Sequence, residues 1–194
     1  MTGIKQRRPV YRGGVIDVGI ETVELPTGKL VDLEIIRHPG GAAAVALDRA
    51  GRVCLLRQYR HAAQGWLWEL PAGKIDPGEE PFSTARRELA EEAGVTAAHW
   101  VDLGPMHSSP GVFTEVIHLY LGRDLSPAAP DHEHDEVIEV HWLPLAEALR
   151  WCRDGTVTDA KTLVGLFRAA ALIGNAGTSR RNEDRSTVSP VTVG

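Results

Sequence analysis

The stretch GKIDPGEEPFSTARRELAEEAGV, Gly73 to Val95, limits what this chain can fold into more than any other part of it. It sets Glu88, Glu91 and Glu92 close together, with Asp76, Glu79 and Glu80 just before them. Asp76-Pro77-Gly78 is turn chemistry, because proline fixes φ and glycine tolerates the left-handed region. Pro81 suits a helix's first turn, and no Gly or Pro follows until Gly94, a natural stop. These signals predict a helix over 81–93. On it Phe82, Ala85, Leu89 and Ala93 share one face, which must point into a core. Glu88, Glu91 and Glu92 are then neighbours on an adjacent face. Such like charges repel by about 0.2–0.5 kcal/mol per pair in water. With burial, their pKa values should rise unless a cation is present. The cluster is therefore either a solvated helix face or a cage of hard oxygen ligands, suited to Mg²⁺ or Mn²⁺ and not to zinc. Arg87 and Glu79 are close enough to pair, and the loop before the helix can bring a backbone carbonyl near the carboxylates.

The 194 residues fit one domain, or one domain with a small appendage. A net charge of −5 leaves no basic footprint for nucleic acid. An anionic substrate therefore needs a metal or a local group of arginines. Cys54 and Cys152 lack metal-ligand spacing and read as reduced, buried fillers. The N-terminal MTGIKQRRPVYRGG has no apolar core of a secretory signal, and no run reaches the ~18 apolar residues of a membrane span. A cytoplasmic protein without membrane partners is expected.

Residues 1–10 are polar and read as loose. Apolar and polar residues alternate over 15–23 and 30–36, with Pro26 and Gly28 between them, which predicts a hairpin. Core strands are expected at 42–47 and 52–60, and further strands at 66–73, 99–107, 115–122 and 137–143. Residues 128–136 form an acidic loop. Helices are expected at 144–155, stopped by Gly155, and at 159–173, with a polar tail after Gly174. Strands mixed with a few helices, without strict alternation, suggest an α+β fold.

The spacing of Gly73, Glu79, Arg87, Glu88, Leu89, Glu91, Glu92, Gly94 and Val95 resembles the Nudix box at every fixed position. The resemblance implies an α/β/α sandwich around a mixed sheet and hydrolysis of a nucleoside diphosphate linked to another group, with divalent metal. It implies that Glu88, Glu91, Glu92 and the Ala72 carbonyl are metal ligands, and that Arg87 with Glu79 is a structural ion pair. Features outside the box resemble the ADP-ribose pyrophosphatase branch: the hairpin before His38-Pro39-Gly40, the segment HSSPGVFTE with Pro110 sixteen residues after Gly94, and the acidic loop. That branch implies a homodimer through residues 1–40, a hydrolase domain over 41–174, a tail over 175–194, and the products AMP and ribose 5-phosphate. Another nucleoside diphosphate sugar such as GDP-mannose stays open as the substrate, as does a non-catalytic nucleotide-sensing module. Glu136 is expected as the general base or a further metal ligand, with Glu133 as runner-up. Arg60 is expected on the diphosphate or terminal ribose, Glu69 on a ribose or metal-bound water, Glu115 in the ribose pocket, and Tyr11 and Arg37 near adenine, across a dimer. Trp66 and Trp68 read as packing residues.

Overall fold

The computed structural model describes residues 3–131 and 137–185, with side chains as far as Gly174. Strands β1 (Ile4–Arg12), β2 (Asp17–Glu24) and β3 (Leu30–Arg37) form an antiparallel sheet in that order. The β2–β3 hairpin is the predicted one. It turns at Gly28, whose φ is 80° and whose N–H donates to the Leu25 carbonyl at 2.8 Å. Strand β1 corrects the expectation that residues 1–10 are loose. Its charged side chains hide any apolar period, and cross-strand ion pairs hold it instead. Lys5 meets Glu24 at 2.7 Å, and Arg7 meets both Asp17 and Glu21.

The main body is a sandwich. Strand β4 (Gly41–Ala46) pairs antiparallel with β7 (Ala72–Lys74) and parallel with β9 (Val116–Pro127), and β9 pairs antiparallel with β8 (Val95–His107). The result is a mixed sheet in the order β7-β4-β9-β8. A second, antiparallel sheet places β5 (Arg52–Arg60) between β6 (Gly65–Glu69) and β10 (Ile138–Pro144). The single strand expected at 66–73 is thus two strands in two sheets. Pro71 has no N–H to extend a ladder, and its carbonyl instead accepts the Ala44 N–H at 2.9 Å.

Alternation along β4 and β5 builds two cores. Ala43, Val45, Val53 and Leu55 meet Ala148 of α2 (Leu145–Asp154) and Leu166 and Ala169 of α3 (Ala160–Arg185). Ala44, Ala46, Cys54 and Leu56 face the other way, against Leu89 and Ala93 of α1 (Pro81–Ala93). Each fully buried leucine contributes about 1.5–3 kcal/mol. Helix α3 continues past the expected end at Ile173 to Arg185, since an isolated glycine such as Gly174 costs a helix only about 1 kcal/mol. No helix among the described residues is long and apolar enough to cross a membrane.

Helix α1 ends as predicted, with Gly94 at φ 64° donating its N–H to the Ala90 carbonyl at 3.1 Å. Its inward face keeps Ala85, Leu89 and Ala93 as expected but not Phe82, and it is wider than the apolar period alone gives. Phe82 is 37% exposed and lies edge-on to Trp100, with ring centroids 5.5 Å apart. The buried stripe is instead Thr84, Ala85, Glu88, Leu89, Glu92 and Ala93. Small side chains on β4 let the helix approach, and two carboxylates come inside with it.

Candidate active site

Two helices and one short crossover make the site. Residues 69–72 run between the sheets and are fastened from both sides. Helix α1 contributes Glu92, only 2% exposed, which accepts the Ala72 N–H at 2.7 Å. Helix α3 contributes Thr162, whose hydroxyl accepts the Leu70 N–H at 2.8 Å. These bonds hold the Ala72 backbone beside the carboxylates of α1. Gly73 is needed for the same packing: a Cβ there would lie 1.8 Å from Glu88 Oε1 and 2.2 Å from Glu88 Cδ.

Arg87 organises the outer side. Its Nε and Nη2 donate to Glu79 at 3.2 and 3.1 Å, the ion pair expected from the sequence. Nη1 donates to Glu88 Oε1 at 2.7 Å and Glu91 Oε2 at 3.0 Å. The Arg87 hydrogen bonds hold the Glu79 carboxyl down at about 2, helped by the Thr84 hydroxyl and the Asp76 N–H. The Arg87 pKa is raised, first by its bond to Glu79 and then by Glu88 and Glu91. Among the described residues, no three His, Cys, Asp or Glu side chains yet converge on one point. The donor set nonetheless fits a hard divalent cation. Glu88, Glu91, Glu92 and Ala72 line one cavity, the carboxylates offer oxygen donors, and the missing side chain of Gly73 makes room for the Glu88 carboxylate.

That cavity has a volume of about 430 Å³, within the usual range for small-molecule sites. Arg60, Asp159 and Lys161 form part of its wall, as does Glu115. Glu69 is set back, 2% exposed, accepting Arg60 Nε at 2.8 Å and Nη2 at 2.9 Å and pairing with Lys161. Burial pushes the Glu69 carboxyl up, but the Arg60 hydrogen bonds and the Lys161 charge outweigh it and hold it at about 2.

Six of the residues singled out from the sequence therefore share the cavity: Arg60, Ala72, Glu88, Glu91, Glu92 and Glu115. Others do not reach its wall. Glu69 acts on Arg60 from behind. Arg37 turns to Glu21, with Nη2 at 2.6 Å, and Tyr11 is 58% exposed on β1. Pro110 lies in the turn whose Ser109 carbonyl accepts the Val112 and Phe113 N–H groups. Trp68 packs against Trp151 and His141, and Trp66 lies under Arg57, with 4.8 Å from the guanidinium carbon to the ring centroid. Glu133 and Glu136 lie outside the described residues. The acidic loop does enter the site at its described edge, where Asp131 lines the cavity and donates its N–H to the Glu91 carbonyl at 3.0 Å.

Sequence reasoning missed Lys161, Asp159 and His38. The first two begin a helix that read only as a closing element, and only the Asp-Ala-Lys-Thr at its start hinted at more. His38 read as part of a chain break. It lies 3.4 Å from Glu115, accepts the Gly40 N–H at Nδ1, and donates its own N–H to Thr114 Oγ1 at 3.0 Å.

Comparison with known proteins agrees with this geometry. The NUDIX domain profile matches residues 37–163. An ADP-ribose pyrophosphatase from Bacillus subtilis is 39% identical over 158 residues, covering 80% of this chain and 85% of the relative. A methanol dehydrogenase activator from Bacillus methanolicus is 35% identical, covering 81% and 86%. An ADP-ribose pyrophosphatase from Mycobacterium tuberculosis is 34% identical, covering 84% and 80%. A crystal structure of an ADP compounds hydrolase superposes with a TM-score of 0.78 over 91% of this chain and 96% of its own, at 23% identity, and so shares the fold.

Proposed function

The chain belongs to the NUDIX family, and from that premise we propose that it hydrolyses the diphosphate of ADP-ribose to AMP and ribose 5-phosphate, using Mg²⁺ or Mn²⁺. The observation that carries this reading is the shared cavity, which Ala72, Glu88, Glu91 and Glu92 line together with Arg60.

Ala72, Glu88, Glu91 and Glu92, with Glu136 as a further ligand, would hold the cation. When bound, it supplies charge neutralisation for both phosphoryl groups and lowers the pKa of water. The chain's own groups do the rest. Arg60 has only part of its guanidinium committed to Glu69, and its remaining N–H donors suit phosphoryl oxygens. Arg87 with Glu79 fixes the loop before α1 to the helix. The base that takes a proton from the attacking water lies outside the α1 carboxylates, which act as ligands. Glu136 is assigned that role, with Glu133 as the alternative. Support comes from Asp131, which brings the same loop to the cavity. Glu115, which lines the same cavity, is assigned to the ribose.

Tyr11 and Arg37 are assigned to the adenine across a homodimer formed through the N-terminal sheet. The exposure of Ile4, Tyr11 and Leu30, each above half, supports a covered face there. The reaction is placed in the cytoplasm.

A substrate panel with Mg²⁺ tests the assignment. ADP-ribose should be turned over fastest. GDP-mannose turned over far faster would overturn the substrate, and no turnover of any nucleoside diphosphate sugar would favour a ligand-sensing module.

A further inference from the structure

Arg60 has a second cation beside it. Lys161 is the second residue of α3, its side chain 13% exposed, and it also lines the cavity. Its ammonium pairs with Glu69 and lies 3.1 Å from Asp159. Asp159 in turn caps α3, accepting the Thr162 N–H at 3.0 Å and hydroxyl at 2.6 Å. Two cations, Arg60 and Lys161, therefore face two carboxylates, Glu69 and Asp159, so the group is formally neutral. One carboxylate, Glu69, is shared between both cations.

We propose that Lys161 is a positioning residue for substrate, resting on the diphosphate hydrolysis proposed above: by sharing Glu69 it leaves the Arg60 guanidinium with charge to offer an anionic diphosphate. Without Lys161, Glu69 would draw on Arg60 alone, and this group of Arg60, Glu69 and Asp159 would carry one net negative charge beside a negatively charged substrate. The α3 N-terminus, with its own partial positive charge, already faces Asp159 and cannot replace the missing ammonium at Glu69. The contribution acts on the diphosphate before and during reaction alike, so it belongs to KM more than to kcat.

The test is steady-state hydrolysis of ADP-ribose by the full chain with Mg²⁺, together with Mn²⁺ binding followed by electron paramagnetic resonance. For Lys161→Met, KM should rise about tenfold with kcat within about twofold, and Mn²⁺ affinity should be unchanged. Lys161→Arg keeps the charge and should stay within about threefold of the parent KM. The double variant Lys161→Met with Glu69→Gln restores neutrality and should also return to within about threefold. A purely structural lysine would show no such compensation. Should Lys161→Met not fold, Lys161→Gln removes the same charge with a side chain that can still donate a hydrogen bond: a KM about fivefold above the parent's supports the assignment, and an equal KM overturns it. An unchanged KM in a folded Lys161→Met, a double variant no better than the single one, or a loss confined to Mn²⁺ affinity would each overturn it too. A parent protein that cleaves no ADP-ribose would instead overturn the underlying function, and this role with it.

Discussion

Replacing Gly73 by alanine should disable the cation site while leaving the fold standing. The new Cβ would lie 1.8 Å from Glu88 Oε1 and 2.2 Å from its Cδ, where real contacts hold beyond 3.0 Å. The Glu88 carboxylate must therefore retreat by more than an ångström. The backbone at Gly73 is not in the left-handed region, so alanine adds no backbone strain. A Gly-to-Ala change that the backbone accepts gains about 0.4–1 kcal/mol from the unfolded state, which offsets part of the cost of moving one side chain. A displacement of about 1 Å at a reacting centre costs about 100-fold in rate. The variant should thus lose about 100-fold or more in kcat/KM and bind Mn²⁺ measurably more weakly by calorimetry, while its Tm stays within a few degrees of the parent's. A Gly73→Ala protein that binds Mn²⁺ and turns over as the parent does would show that Glu88 is not a ligand in this position.

Glu79 and Glu69 both titrate at about 2 instead of the ordinary 4.5. A depressed folded-state pKa stabilises fully above the unfolded value, and that stability is lost as pH falls from about 4.5 towards about 2. Acid unfolding should steepen in that window, and Glu79→Gln should flatten it in denaturant titrations at stepped pH. Glu92→Gln should keep the fold, because an amide oxygen can still accept the Ala72 N–H, but lose about 100-fold or more in kcat, read by the same hydrolysis assay. Leu166→Ala removes a fully buried side chain from the α3 core and should cost about 2–5 kcal/mol in urea unfolding, without altering the metal dependence. Burial and the nearby Glu92 charge push the Cys54 thiol up to about 12, so it should resist thiol reagents at pH 8 until the protein unfolds.

The α1 helix and its turn residues were readable because local signals agreed: Pro81 at the start, Gly94 at the end, and nothing breaking the run between them. The alternating core strands β4 and β5 were readable for the same reason. The inward face of α1 was readable at Ala85, Leu89 and Ala93, but not at Phe82 or at its buried carboxylates. Apolar period alone selects Phe82, whereas tight packing against the small residues of β4 selects Glu88 and Glu92. Strand β1 escaped because ion pairs, not apolar residues, hold it. The break at Leu70-Pro71 escaped because strand propensity runs through it, and only the pairings of β6 with β5 and of β7 with β4 show that the chain changes sheets. Of the cavity wall, Ala72, Glu88, Glu91 and Glu92 were legible within or beside one sequence segment, and Arg60 and Glu115 through the family resemblance. Those brought in from 92 positions away were not: Lys161 meets Glu69 only through the tertiary fold, and no local pattern records that contact.

The central claim is that this cavity directs water onto a phosphorus of ADP-ribose when a divalent cation is bound. Mass analysis of the products formed in ¹⁸O-labelled water, with Mg²⁺ and again after chelation, addresses it directly. The expected products are AMP and ribose 5-phosphate, one of them carrying a single ¹⁸O, with none formed without the cation. Products that form equally after chelation, or label that appears in neither phosphate, would contradict it.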